Sequence, residues 1–175
     1  MQIQIRRVRD RISPELRALY KNSRNKKDIH AAIGLGLVSM TKRAFNDPSL
    51  RPKAWPAKSD GSAARLRDTG TLAKSVRLVQ VNARGLRIGS DRPYAAIHQL
   101  GGKTKARVIT ARGARALRFS IGGRIVFARS VRHPGSRIPA RPYMPFSRNG
   151  RLTAKASKLV GNITRRKLMR GTSQA

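Results

Sequence analysis

Apolar residues recur at Ile29, Ile33, Leu37, Met40 and Ala44. The steps are four, four, three and four, which is one face of a helix. Gly34 and Gly36 interrupt this helix and allow another element to approach closely. "NDPS" at 46–49 ends it. Upstream, "SPEL" at 13–16 reads as a helix start, with Ser13 as N-cap, Pro14 in the first turn and Glu15 near the positive end of the dipole. That helix is expected to run to about Tyr20, and "KNSRNKKD" breaks it. Residues 48–68 show no sustained period, so they read as a loop in which Trp55 folds back onto the core. "DTGTLAKSV" at 68–76 predicts a short capped helix.

Alternation then replaces the helical period. "RLVQV" and "GLRIGS" flank "NARG". A four-residue loop at Asn82–Gly85 would set Val81 opposite Leu86 and Val79 opposite Ile88, with Gln80 and Arg87 on the other face. "RPYAAIHQLGG" predicts a short helix begun at Pro93 and ended by Gly101 and Gly102. In a second hairpin, Leu117, Phe119 and Ile121 alternate with Arg118 and Ser120 before Gly122-Gly123. A two-residue turn would leave Phe127 beside Arg118. A three-residue loop over Gly122–Arg124 pairs Ile121 with Ile125 and Phe119 with Phe127, and it is preferred because it keeps one face apolar. "HPGSRIPARPYMPFS" at 133–147 is extended and punctuated by proline. A last helix, from about Gly150, carries Leu152, Ala156, Leu159 or Val160, and Ile163. The fold class is therefore α+β. A small antiparallel sheet of two hairpins is flanked by an N-terminal helical pair, a short central helix and a C-terminal helix. The 175 residues suit a single domain, 1–175, with 1–24 an N-terminal arm and short helix and 171–175 a frayed tail.

Charge changes this picture. Forty Lys and Arg against seven Asp and Glu give a formal net charge of +33. All seven acids lie at or before Asp91, and from Arg92 onward there are 20 Lys or Arg and no acid. Ion pairing within the second half cannot neutralise it, so an acidic partner or counterions must. The chain has no cysteine. That excludes disulfides, thiolate metal sites and thiol nucleophiles. The N-terminus carries no secretory h-region, and no apolar run reaches the ~18 residues of a membrane span. A soluble protein with no membrane partner is expected.

Catalytic chemistry is not expected. The acids are scattered, and His30, His98 and His133 lack the spacing of metal ligands. "GGKT" at 101–104 resembles the end of a phosphate-binding loop. However, Ile97 stands where its first glycine would be, and no acid follows to hold magnesium. The reading is of a non-enzyme without cofactor or metal. No nucleic-acid-binding motif appears, so any DNA contact would be to phosphates.

Four segments in order resemble one family. They are "KAWPAKS" (53–59), "DTGTLAKSV" (68–76), "RIGSDRPYAAIHQLGG" (87–102) and "RIPARPYMPFS" (137–147). Together they resemble the virion morphogenesis, or tail-completion, proteins of Mu-like tailed phages, over a core of roughly residues 25–165. The resemblance implies a structural virion protein at the head–tail junction. It would be a neck or tail-completion ring, six-fold by preference, joining a DNA-filled head to the tail. It implies contact with head-connector and tail proteins, assembly in the host cytoplasm, and a final place in the virion neck. The motif residues expected at an interface or structural joint are Trp55, Gly70, Leu72, Tyr94, Ile97, His98, Gln99, Gly101, Gly102, Pro139, Arg141 and Pro142. For His98, intramolecular packing and an intersubunit role both stay open. Arg118, Arg124, Arg129, Arg165, Arg166, Lys167 and Arg170 are candidate contacts to phosphates or acidic partners. The alternative is a sequence-independent nucleic-acid-binding protein of ribosomal or DNA-packaging type.

Overall fold

A computed structural model describes residues 12–147 and 149–172. Residues 1–11, which hold most of the expected N-terminal arm and Asp10, lie outside the described residues. So do Arg148 and residues 173–175 of the expected frayed tail.

Helix α1 (Ile12–Arg24) continues past the expected end at Tyr20 to Arg24. There the Asn22 side-chain amide donates to the carbonyls of Leu168 and Arg170, both at 2.8 Å. The polar run "KNSR" is thus held in helical form by a distant part of the chain. Asn25 breaks the helix and caps α2 (Lys26–Ala44). On α2, Ile33, Leu37 and Ala44 of the predicted stripe are buried, and Ile29 and Met40 pack partly buried beside them. The two glycines mark where neighbours press in. A Cβ on Gly34 would lie 2.6 Å from Leu78 Cδ1, and one on Gly36 would lie 2.7 Å from Ile163 Cδ1. One helix therefore receives the first hairpin and the last helix on adjacent faces.

After a 3₁₀ turn (Pro48–Leu50), the chain loops to α3 (Thr71–Ser75). Gly70, at φ +73°, supplies the left-handed N-cap. The first hairpin, β1 (Arg77–Asn82) and β2 (Gly85–Gly89), pairs Val81 with Leu86 and Gln80 with Arg87, as expected. Two details differ. Its turn is two residues long, because Asn82 Oδ1 accepts the amides of Arg84 and Gly85 at 2.8 and 3.0 Å. A bulge between Leu78 and Gln80 pairs Leu78, not Val79, with Ile88. Leu78 thereby reaches the core, and Val79 is turned out, 55% exposed.

Helix α4 (Ala95–Leu100) follows and ends at Gly101. Short strands β3 (Gly102–Lys103) and β4 (Arg107–Thr110) lead outward to the second hairpin, β5 (Leu117–Ile121) and β6 (Arg124–Ala128). Strands β7 (Ser130–His133) and β8 (Arg137–Ile138) lead back. The pairs are nested, β3 with β8, β4 with β7 and β5 with β6, all antiparallel. They make one β-arm from residue 102 to 138. The class is α+β with small antiparallel hairpin sheets, and the strands fall into four two-stranded ladders.

The expected three-residue loop at the arm's tip is not formed. Gly122 and Gly123, at φ +56° and +80°, make a two-residue turn. Positive φ at both positions matches the right-handed twist of a hairpin. The register is Arg118 with Phe127, Phe119 with Val126 and Ile121 with Arg124. Turn geometry therefore overrides the gain from gathering the apolar residues on one face.

Helix α5 (Ala154–Leu168) begins at Thr153, whose hydroxyl accepts the Ala156 amide. Ala156 and Ile163 are buried against α2. Two core clusters result. One joins Val38, Phe45, Leu72, Val76, Ala95 and Tyr143, and the other joins Ile33, Leu37, Ala156 and Ile163. Ile88 touches both. Neither contains a residue between Gly102 and Ile138, and no residue of that arm is buried.

Candidate functional site: a clasp and a basic arm

The four motif segments meet in space. Pro139 and Pro142 each limit φ, so the segment 139–146 is stiff before it docks. It lies between α4 and the loop that carries Trp55. Arg141 is 9% exposed. Its Nε donates to Pro56 O at 3.0 Å and its Nη2 to Ala57 O at 2.8 Å. The same residue's backbone N–H donates to His98 O at 2.7 Å. Trp55 Nε1 donates to Pro142 O at 2.7 Å. Gln99 Oε1 accepts two backbone amides, from Tyr143 at 2.9 Å and Met144 at 3.0 Å. Tyr143 is 1% exposed, its hydroxyl donates to Ala95 O at 3.2 Å, and burial pushes its pKa up to about 12. Carbonyls and amides that no ladder pairs are thus satisfied across the clasp, most of them partly buried.

Two residues that the sequence did not single out complete it. Phe45 meets the ring of Tyr143 at 5.0 Å and that of Trp55 edge-on at 6.0 Å. Arg51 covers Trp55 with its guanidinium 3.7 Å from the ring centroid, and it donates to Ala44 O and Phe45 O. Burial lowers the Arg51 pKa. The signal for Phe45 was its place directly after the last stripe residue, Ala44. Nothing in the local sequence marks Arg51.

The other motif residues fall as follows. Leu72 is buried in the first core cluster. Gly101, at φ +73°, is a point of close approach, since a Cβ there would stand 2.8 Å from Ala140 N. Ile97 packs beside Gly102. Tyr94 is 39% exposed at the start of α4 and meets the His98 ring edge-on at 6.0 Å. His98 Nδ1 is buried without a hydrogen-bond partner. Burial, then the nearby Arg141 charge, lowers the His98 pKa. A cleft of about 680 Å³ beside it is lined by Lys58, Arg65, Arg67, Tyr94, His98 and Arg141. Among the described residues no group of three or more His, Asp or Glu could hold a metal ion, and no helix is long and apolar enough to cross a membrane.

The basic candidates separate. Arg118, Arg124 and Arg129 are exposed on the arm. Arg165, Arg166 and Arg170 are exposed at the end of α5. Lys167 differs from them: its Nζ is 2.8 Å from Asp28 Oδ2, in an ion pair between α5 and α2.

Comparison with known proteins adds the decisive observation. The model of the phage virion morphogenesis family matches residues 7–168, nearly the whole chain. The chain belongs to this family. It is a protein of phage virion assembly. The match spans all four motifs, the clasp they build and the arm between the third and fourth. No curated protein and no solved structure shows significant similarity to the chain.

Proposed function

We propose that this family member is a structural protein of the head–tail junction, a neck or tail-completion ring that joins the DNA-filled head to the tail. One observation carries the reading: the molecule divides into a body locked by the clasp and a projecting arm without a single acidic residue. A rigid body with an outward arm suits an adaptor that must hold its shape while gripping a neighbour. A ring of copies, six-fold by preference, would seat between head-connector and tail proteins, assembled in the host cytoplasm and retained in the virion neck. The exposed arginines at the end of α5, Arg165, Arg166 and Arg170, would meet phosphates of DNA in the channel without reading its sequence.

Electron micrographs of particles produced without the chain test the joining role. Separate filled heads and finished tails are expected, and joined particles would overturn it. For the channel, duplex DNA binding should be independent of sequence. It should fall roughly a thousandfold between about 50 and 200 mM salt if ~6 phosphates are engaged. Neutralising Arg165, Arg166 and Arg170 should flatten that salt slope. Size exclusion separates the alternative reading: rings without DNA favour the adaptor, whereas monomers that shift only with nucleic acid favour a nucleic-acid-binding protein.

A further inference from the structure

The arm from Gly102 to Ile138 contributes nothing to either core, yet it is ordered into three nested ladders. Its surface has two features that rarely serve one purpose. From Lys103 to Arg137 it carries ten cations and no acid, and eight of the ten are arginine. It also exposes large apolar side chains: Val108 at 64%, Ile121 at 61%, Ile125 at 55% and Phe127 at 66%. Because of the two-residue turn, Phe127 lies directly across from Arg118, and Ile125 lies across from Ser120. One face of the tip therefore presents an aromatic, an aliphatic and a guanidinium side by side.

Three occupants can be weighed against this surface. Copies in the proposed ring meet through some surface, but a second copy offers the arm's cations only seven acids among forty Lys and Arg, so the arm is the surface least suited to that contact. Duplex DNA would satisfy the cations, but a phosphate surface gains nothing from Ile125 and Phe127. An acidic protein surface with an apolar hollow satisfies both. Arginine forks meet carboxylates two bonds at a time, and an aromatic or aliphatic anchor ringed by arginine is the usual composition of a protein hot spot. We infer that the arm is the docking element for an acidic protein neighbour in the virion, with Phe127 and Ile125 as the anchor and Arg118 and Arg129 as the charge-pairing rim. This rests on the junction reading for where the neighbour sits, and not for its chemistry.

The test uses filled heads and tails purified from particles made without the chain, treated with nuclease, and the full-length chain added back. Co-sedimentation with one of the two is expected. The double variant Ile125→Ser/Phe127→Ser should weaken it at least tenfold while binding to a 30-base-pair duplex, roughly three helical turns, changes less than about twofold. The double variant Arg118→Gln/Arg129→Gln should weaken co-sedimentation at least as much. Unchanged far-ultraviolet dichroism would confirm that both variants fold. Three results would overturn the inference: the serine variant sediments like the parent; duplex binding falls in parallel with it, making the tip a DNA wedge; or the chain sediments with neither structure. If particles made without the chain are already joined, the junction reading fails by itself. The joined particles then serve as the target, and the same variants still decide the arm's partner.

Discussion

At the scale of single residues, Arg141 shows how an expected contact was resolved. Its planar fork could have met a carboxylate or backbone carbonyls, and it takes two carbonyls of the Trp55 loop. Arg141→Ala removes a nearly buried guanidinium and its two charge-assisted bonds to the exposed Pro56–Ala57 backbone, so it should lower stability by about 2–3 kcal/mol in urea unfolding. Arg141→Lys should restore less than half, because an ammonium cannot fork. His98 makes a pH prediction. Folding lowers its pKa from the ordinary 6.5, chiefly by burial. The unfolded chain therefore takes up the proton first, and this group's contribution is intact above pH 6.5 and declines as pH falls through that value. Thermal melts should show His98→Phe gaining on the parent as pH drops from about 7.5 to 5.5. A constant difference across that range would show that burial of His98 does not govern its proton.

Among the elements, helices were more legible than strands. The α2 stripe and the α5 face could be read from a 3.6-residue period because each packs one face against the other. Both hairpins were found, the first in register near its turn and the second misregistered. A bulge at Val79 and a two-residue turn at Gly122-Gly123 each follow from backbone preferences that side-chain alternation does not record. The ladder of β4 with β7 joins residues 20 to 26 positions apart, with one arginine in each strand, so no local pattern announced it. The clasp was legible only as motifs. Its bonds run from side chains to backbone over 84, 85 and 87 positions. Gly101 and Gly113 share φ near +74°, but a Cβ at Gly101 meets Ala140 N at 2.8 Å while one at Gly113 meets nothing within 4 Å. Gly113→Ala should cost about 1 kcal/mol, and Gly101→Ala clearly more, because φ +73° with ψ 174° is open to little but glycine and a Cβ there also meets Ala140. Equal losses in chemical denaturation would show that neither the backbone conformation at Gly101 nor Ala140 resists a side chain.

For the whole molecule, charge sets the terms. Among the described residues, salt bridges engage Asp28 and Asp91. Asp47 and Asp60 accept amides of Ser49 and Ser62 instead, which lowers both their pKa values. Most cations therefore have no internal counter-charge, and the folded chain repels itself. Raising ionic strength from about 0.01 to 0.1 M shortens the screening length from roughly 30 to 10 Å. Melting temperature should climb over that range and then level off. A flat response would mean that the cations lie too far apart to interact.

The arm leaves the body at Gly102 and returns at Ile138, and these two residues are paired with each other. Everything beyond that pair is closed off by its own ladders. The arm thus behaves as a cassette, and whatever lies past its root is uncoupled from the stability of the body. Replacing residues 104–136 with an Asn-Gly turn should alter body stability by no more than about 1 kcal/mol, because closing a loop between fixed ends depends only weakly on its length. The same independence means that the arm's sequence can drift, lengthen or be exchanged while the clasp stays under constraint. One body can then be refitted to new neighbours by changing the cassette alone.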